Sequence, residues 1–330
     1  MKTRRLGAGG PEVSELGLGC MAMSGVYGRA DDGESVATIH AALDGGVTLL
    51  DTGDFYGMGH NESLIREALR TRPREDVRLS VKFGALRGPD GRWGGTDTRP
   101  AAAWNFLAYS LQRLGTDHID VYRPARLDPD VPIEETVGAL ADMVRAGYVR
   151  HIGLSEVGAE TLRRAAAVHP IADLQIEYSL LSRGIEESIL PACRELGIGV
   201  TAYGVLSRGL LSGTYRADRP DQGPFRAHAP RFQGENLDHN LRLVEALRGL
   251  ADARGVTVAQ LAIAWVAARG DDIVPIVGTR NREQLATTLP AAGIELSPDE
   301  LAAIERAVPA GSAAGERYAT PQFAMLDSER

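Results

Sequence analysis

The chain has 330 residues, 44% apolar and 24% charged, with a net charge of −8 and two cysteines, Cys20 and Cys193. This is ordinary globular usage with length for a large core; two cysteines make no disulfide framework, and the negative charge without a Lys/Arg cluster argues against nucleic acid. No apolar run reaches the ~20 residues needed to span a bilayer, and MKTRRL leads into glycine and polar residues, unlike a signal peptide. A soluble cytoplasmic protein is expected.

In chain order, residues 1–15 read as two short strands around Gly9-Gly10-Pro11, a hairpin placed to plug the bottom of a barrel. Short β-branched runs then alternate with amphipathic segments. Leu16–Gly19 precedes a helix near Glu34–Asp44, Thr48–Asp51 one near Glu62–Leu69, and Arg78–Lys82 one near Pro100–Leu114. Ile119–Arg123 is followed by Glu134–Ala146, Arg150–Leu154 by Ala159–Val168, and Leu174–Glu177 by Ile185–Leu196. Gly199–Tyr203 pairs with Val258–Arg269 and Ile273–Val277 with Arg282–Leu289.

Eight strand–helix units predict a closed (β/α)8 TIM barrel, with residues 1–330 as one domain. A doubly wound sheet is the rival, but the Gly17–Gly25 stretch lacks the spacing and the following helix of a dinucleotide fingerprint. Gly204–Asn236, after the seventh strand, is too long for an ordinary connection and reads as a functional loop. Little structure is expected after Pro309.

The chemistry concentrates on Asp51, Tyr56 and Lys82. Asp51 and Lys82 end adjacent strand-like runs, and Tyr56 lies five residues beyond Asp51 in DTGDFYG. A lysine beside a tyrosine favours the phenolate, and an acid beside the lysine keeps it charged. A unit charge at 4 Å with an effective dielectric of 20 is worth ~4 kcal/mol, or about three pKa units. That suffices to bring a phenol near neutrality as a general acid. The rival reading is a buried ion pair beside a structural tyrosine. Asp51-Thr52-Gly53 is also the aspartic-protease tripeptide, but those enzymes need two such carboxylates and only one occurs here. The histidines have no metal-ligand spacing, so no metal is expected.

These pieces, with Gly153-Leu154-Ser155-Glu156, Gln175-x-Glu177-Tyr178, Thr201-Ala202-Tyr203, Gly209-Leu210-Leu211-Ser212-Gly213 and Gly278-Thr279-Arg280-Asn281, resemble the aldo-keto reductases. The resemblance is nearest the branch that groups with potassium-channel β subunits and pyridoxal reductases. It implies an NADPH-dependent reductase of small-molecule aldehydes or ketones, with Tyr56 as general acid, Lys82 lowering its pKa and Asp51 holding Lys82. Ser155 and Gln175 would hydrogen-bond the nicotinamide carboxamide, Tyr203 would stack on its ring, and Gly19 and Met21 would lie beside it. Gly204, Leu206, Ser207, Gly209 and Leu211 would follow the pyrophosphate. Gly278, Thr279 and Arg280 have the backbone N–H groups, hydroxyl and guanidinium that suit phosphate. Arg280 would select NADP(H), with Gln284 near the adenosine. Tyr27, Phe55 and Trp93 are candidates for an apolar substrate pocket.

One departure stands out. Where this branch carries histidine in a His-Arg-x-Asp-Pro context, the chain has Ala125 before Arg126-Leu127-Asp128-Pro129. Either Tyr56 and Lys82 suffice, or Arg123 or His60 reaches in, or the protein is an NADP(H)-binding regulator with weak turnover. The oligomeric state is left open by the sequence.

Overall fold

The computed structural model describes every residue except Tyr27, Arg29, 217–222 and Arg330. The opening hairpin is β1 (Thr3–Arg5) and β2 (Glu12–Ser14), antiparallel, with Leu6 bonded back to Pro11 across the turn. The chain then enters β3 (Gly17–Gly19), β4 (Leu49–Gly53) and β5 (Arg78–Phe83). A second hairpin, β6 (Ala85–Arg87) and β7 (Trp93–Thr96), rises from the end of β5. The remaining strands are β8 (Ile119–Pro124), β9 (Val149–Ser155), β10 (Ile171–Glu177), β11 (Gly199–Tyr203) and β12 (Ile273–Gly278). β3, β4, β5, β8, β9, β10, β11 and β12 pair in parallel, in that order, and β12 closes on β3. This is the expected (β/α)8 barrel.

The helices follow their strands: α1 (Asp32–Asp44), α2 (His60–Leu69), α3 (Pro100–Leu114), α4 (Ile133–Arg145), α5 (Ala159–Val168) and α6 (Ile189–Glu195). After β11 come α7 (Gly223–His228), α8 (Gly234–Arg254) and α9 (Val258–Ala267). After β12 come α10 (Arg282–Thr288), α11 (Pro298–Ala307) and a final turn, α12 (Thr320–Phe323). Local chemistry sets the ends: Pro100 opens α3 and left-handed Gly115 stops it, while α9 and α11 start in capping boxes, Thr257/Gln260 and Ser297/Glu300.

Two expectations need correction. Ile185–Leu196 is not one helix. Pro191 can stand only in a first turn, so α6 begins at Ile189, after a separate short turn at Gly184–Glu186. The expected long loop after β11 carries short elements of its own. It contains α7 and the start of α8, whose Leu237, Leu241, Val244, Leu247 and Ala251 recur at helical spacing and pack against the core. The segment after Pro309 is ordered across the barrel mouth, for reasons given below.

Inside the barrel, period-two side chains stack in levels. At the bottom Leu6 and Val13 of the hairpin join Leu49, Val121, Val274 and Ile276 in an apolar plug. Gly7 makes this approach possible: a Cβ there would lie 2.4 Å from the Ala172 carbonyl oxygen, and its φ is +66°.

Candidate active site

Above the plug the interior turns polar, and β10 shows how. Asp173, Gln175 and Glu177 alternate along this strand, all buried, and each serves a different level. At the lowest, Asp173 is 3.1 Å from the Arg123 guanidinium and accepts from Thr201 Oγ1 at 2.6 Å. Arg123 also donates to Thr201 Oγ1 at 3.1 Å and to Ser80 Oγ at 3.0 Å. Gly153 leaves room for the pair, since a Cβ there would meet Asp173 Oδ1 at 2.5 Å.

One level up, Asp51 Oδ1 accepts from Lys82 Nζ at 2.6 Å, while Oδ2 accepts from Ser80 Oγ at 2.8 Å and Gln175 Nε2 at 2.6 Å. Strand register explains the meeting: Asp51 lies opposite Ser80, and Lys82 opposite Arg123. Burial pulls the Lys82 pKa below its usual value; Asp51 opposes this and Arg123 adds to it. Asp51 therefore supports the charged ammonium in a dry site. Removing it would leave burial unopposed.

The Lys82 ammonium is 5.1 Å from the centre of the Tyr56 ring, which is 8% exposed. Tyr56 opens a tight turn, Tyr56–Gly59, in which Gly57 and Met58 are left-handed. Phe55 meets Tyr56 edge-on at 4.8 Å. The Arg87 guanidinium lies 5.8 Å from the Phe55 ring and 5.4 Å from that of Trp93, so Arg87 links the second hairpin to Phe55. Tyr27 lies outside the described residues. The Cys20 thiol is buried and pushed well up by burial and then Asp51, which makes it inert.

Neither candidate for the missing histidine's place occupies it. Arg123 does not line the mouth: strand alternation turns it into the barrel, where it is fully buried and paired with Asp173. His60 is engaged elsewhere, 3.0 Å from Ser24 Oγ and 3.1 Å from Asp32 Oδ1. Ala125 follows β8, 2% exposed, and its carbonyl accepts from Arg126 Nη1 at 2.6 Å. The same guanidinium reaches toward the Tyr318 hydroxyl at 3.4 Å.

The residues expected to face a cofactor ring the strand ends. Gly19, beside Asp51 in β4, also pairs with Gly278 of β12; Ser155 pairs with Gln175, and Gln175 with Thr201. Met21 begins the turn after β3. Tyr203 ends β11 and packs against the apolar cluster to which Val274 and Ile276 of β12 belong. Gly204, Ser207, Arg208 and Gly209 all have positive φ, folding the segment back on itself. The side chains of Leu206 and Leu211 pack on the core, and the Leu211 N–H is bonded to the Leu206 carbonyl, which tightens the turn that would follow the diphosphate. Gly278 is exposed with open space before it, and Thr279 and Arg280 both bond Gln284 Oε1.

Residues 15–309 match the model of the aldo/keto reductase family. The chain belongs to the aldo/keto reductase family. A probable aldo-keto reductase of Glycine max is 44% identical over 318 residues, 95% of this chain and 91% of that one. Among solved structures, the glycerol dehydrogenase of Gluconobacter oxydans superposes with a TM-score of 0.84 at 31% identity, covering 92% of this chain and 94% of that one. The holo aldo-keto reductase of Bacillus halodurans gives 0.77 at 28% identity, covering 94% and 97%. The family implies a nicotinamide-dependent oxidoreductase acting on small carbonyl compounds. No single helix among the described residues is long and apolar enough to cross a membrane.

The rim of this aldo/keto reductase fits such a cofactor. Ser207 Oγ is buried with no hydrogen-bond partner among the described residues, in the segment of positive φ. An acceptor such as a phosphate oxygen would satisfy it.

Sequence reasoning missed the topmost level. Glu156 and Glu177, fully or almost fully buried, gather Arg208 from the segment after β11 and Arg317 from the tail. Arg208 Nη2 donates to Glu177 Oε2 at 2.7 Å. Although burial raises its pKa, Arg317 and its partners hold Glu156 down to about 2. The tail is ordered because these carboxylates need a counter-charge. Only the charge of Arg317 hinted at this in the sequence.

Proposed function

We propose that the protein reduces an aldehyde or ketone to the alcohol with NADPH. A bound nicotinamide supplies the hydride. Tyr56 donates its phenolic proton to the carbonyl oxygen, Lys82 stabilises the phenolate left behind, and Asp51 keeps Lys82 charged and aimed. The observation that carries this reading is the buried Asp51–Lys82 pair, 2.6 Å long, with its ammonium over the Tyr56 ring. Ser155 and Gln175 would bind the carboxamide and Tyr203 would stack on the ring. Gly204, Ser207 and Gly209 would follow the diphosphate, with Gly278, Thr279 and Arg280 at the 2′-phosphate and Gln284 beside them. Residues 1–330 would act as one cytoplasmic domain, in the branch that groups with channel β subunits and pyridoxal reductases.

Ala125 offers no proton and no orienting hydrogen bond, so Tyr56 alone directs the carbonyl oxygen. Turnover is expected below that of histidine-bearing relatives. The regulator reading is not favoured, since the relatives that the chain resembles are named a reductase and a dehydrogenase.

A carbonyl panel followed by nicotinamide absorbance tests the proposal. NADPH consumption is expected with at least one aldehyde or ketone, and preference for NADPH over NADH should fall about tenfold or more in Arg280→Ala. Consumption of neither cofactor with any carbonyl contradicts it.

A further inference from the structure

Tyr203 is constrained from two sides. Its ring packs against the apolar cluster to which Val274 and Ile276 of β12 belong, and its hydroxyl donates to Glu156 Oε1 at 2.7 Å. That hydroxyl also lies 2.9 Å from the Tyr318 hydroxyl and 3.4 Å from Arg317 Nη1. Glu156 is the junction. Its Oε1 accepts from Arg317 Nη1 at 2.9 Å and from the Glu177 N–H at 3.0 Å, and its Oε2 from Arg317 Nη2 at 2.5 Å and Ser328 Oγ at 2.6 Å. Glu156 has φ +54°, a conformation that side-chain-bearing residues hold only when their surroundings enforce it. The Ser328 N–H bond to its carbonyl, 3.2 Å, is part of that enforcement.

The tail is fastened on both flanks of Arg317 and Tyr318. Ala314 exchanges two hydrogen bonds with Asn240 of α8, at 2.9 Å each, and Asp327 Oδ2 accepts from the Gly158 N–H at 2.8 Å. The Arg208 guanidinium stacks over the Tyr318 ring at 4.4 Å, which ties the tail to the segment after β11.

We infer that Arg317 and Tyr318 are positioning residues for the cofactor: together with Glu156 they fix the Tyr203 phenol by its hydroxyl, so that the ring is presented to the nicotinamide in one orientation. This rests on the reading of Tyr203 as the stacking residue. A rigid ring loses little entropy when a ligand stacks on it. Releasing the hydroxyl therefore weakens cofactor binding without touching the proton-transfer groups Tyr56 and Lys82.

The test is NADPH binding by fluorescence titration, with kcat at saturating NADPH measured in parallel, on Tyr318→Phe, Arg317→Ala and Tyr203→Leu. Tyr318→Phe keeps the ring beneath Arg208 and removes one oxygen. It is expected to raise the NADPH Kd about fivefold, the effect of one net hydrogen bond, with kcat changed less than about twofold and the unfolding transition unchanged. Arg317→Ala should raise Kd further. If Tyr203→Leu weakens NADPH binding while Tyr318→Phe and Arg317→Ala bind it as the wild type does, the tether is overturned and the stacking role stands. If Tyr203→Leu also binds NADPH as the wild type does, the stacking role falls and the tether with it.

Discussion

The barrel interior and the barrel mouth each bury several charges, but they assemble them differently. Asp51, Lys82, Arg123, Asp173, Gln175 and Thr201 all sit on strands, so register alone brings them together. Glu156, Glu177, Arg208 and Arg317 come from strand ends, the segment after β11 and a tail more than a hundred residues away. The interior is therefore expected to be rigid and coupled to global stability, and the mouth to open locally.

The largest effect should come from removing a cation at the lower level. Arg123→Met leaves Asp173 buried and uncompensated, and urea unfolding should show a loss of about 3–5 kcal/mol. Arg317→Ala removes a cation from an equally buried cluster, but the tail can lift and hydrate Glu156. Its global stability should change by less than about 1 kcal/mol, while amide exchange accelerates across residues 310–329. Equal global losses in the two variants would erase the distinction. Gly153→Ala is next, since the methyl collides with Asp173 Oδ1. A loss of about 1–3 kcal/mol is expected, with the mouth undisturbed.

Acid and base act on the two regions with opposite sign. Burial and then Glu62 raise Asp54, beside the Tyr56 loop, to about 7. The folded state holds that proton longer than the unfolded one, so this contribution to stability is full below about pH 4 and is lost as pH rises toward 7. Asp54→Asn should flatten that decline in thermal unfolding. Glu156, held near 2, behaves the other way. Its contribution is full above about pH 4.5 and lost as pH falls toward 2, where the tail should undock first. The smallest effect is at Ala125. Ala125→His should add an imidazole titration near pH 6.5 to the profile of carbonyl reduction. An unchanged profile means that position 125 does not face the substrate.

What the sequence disclosed follows the same division. β11, α3 and α5 are found at the boundaries expected, because apolar periodicity, Pro100 and Gly115 mark them locally. Asp51, Tyr56 and Lys82 were legible because strand ends in an α/β barrel share one face. Arg123 was misplaced toward the mouth because strand alternation gives a side but not a depth. The tail was unreadable because Arg317 acquires its meaning only from Glu156 and Glu177, which distant strand ends carry to it. Helix α8 carries a legible apolar spacing, but it is an addition to the eight strand–helix units, so the barrel pattern does not call for it.

The central claim is that Tyr56 delivers the proton from above a charged Lys82. Its most direct test is a parallel measurement of NADPH affinity and turnover in Tyr56→Phe. A wild-type Kd is expected, with kcat reduced about a hundredfold or more, the worth of a positioned general acid. Full turnover in that variant would contradict it.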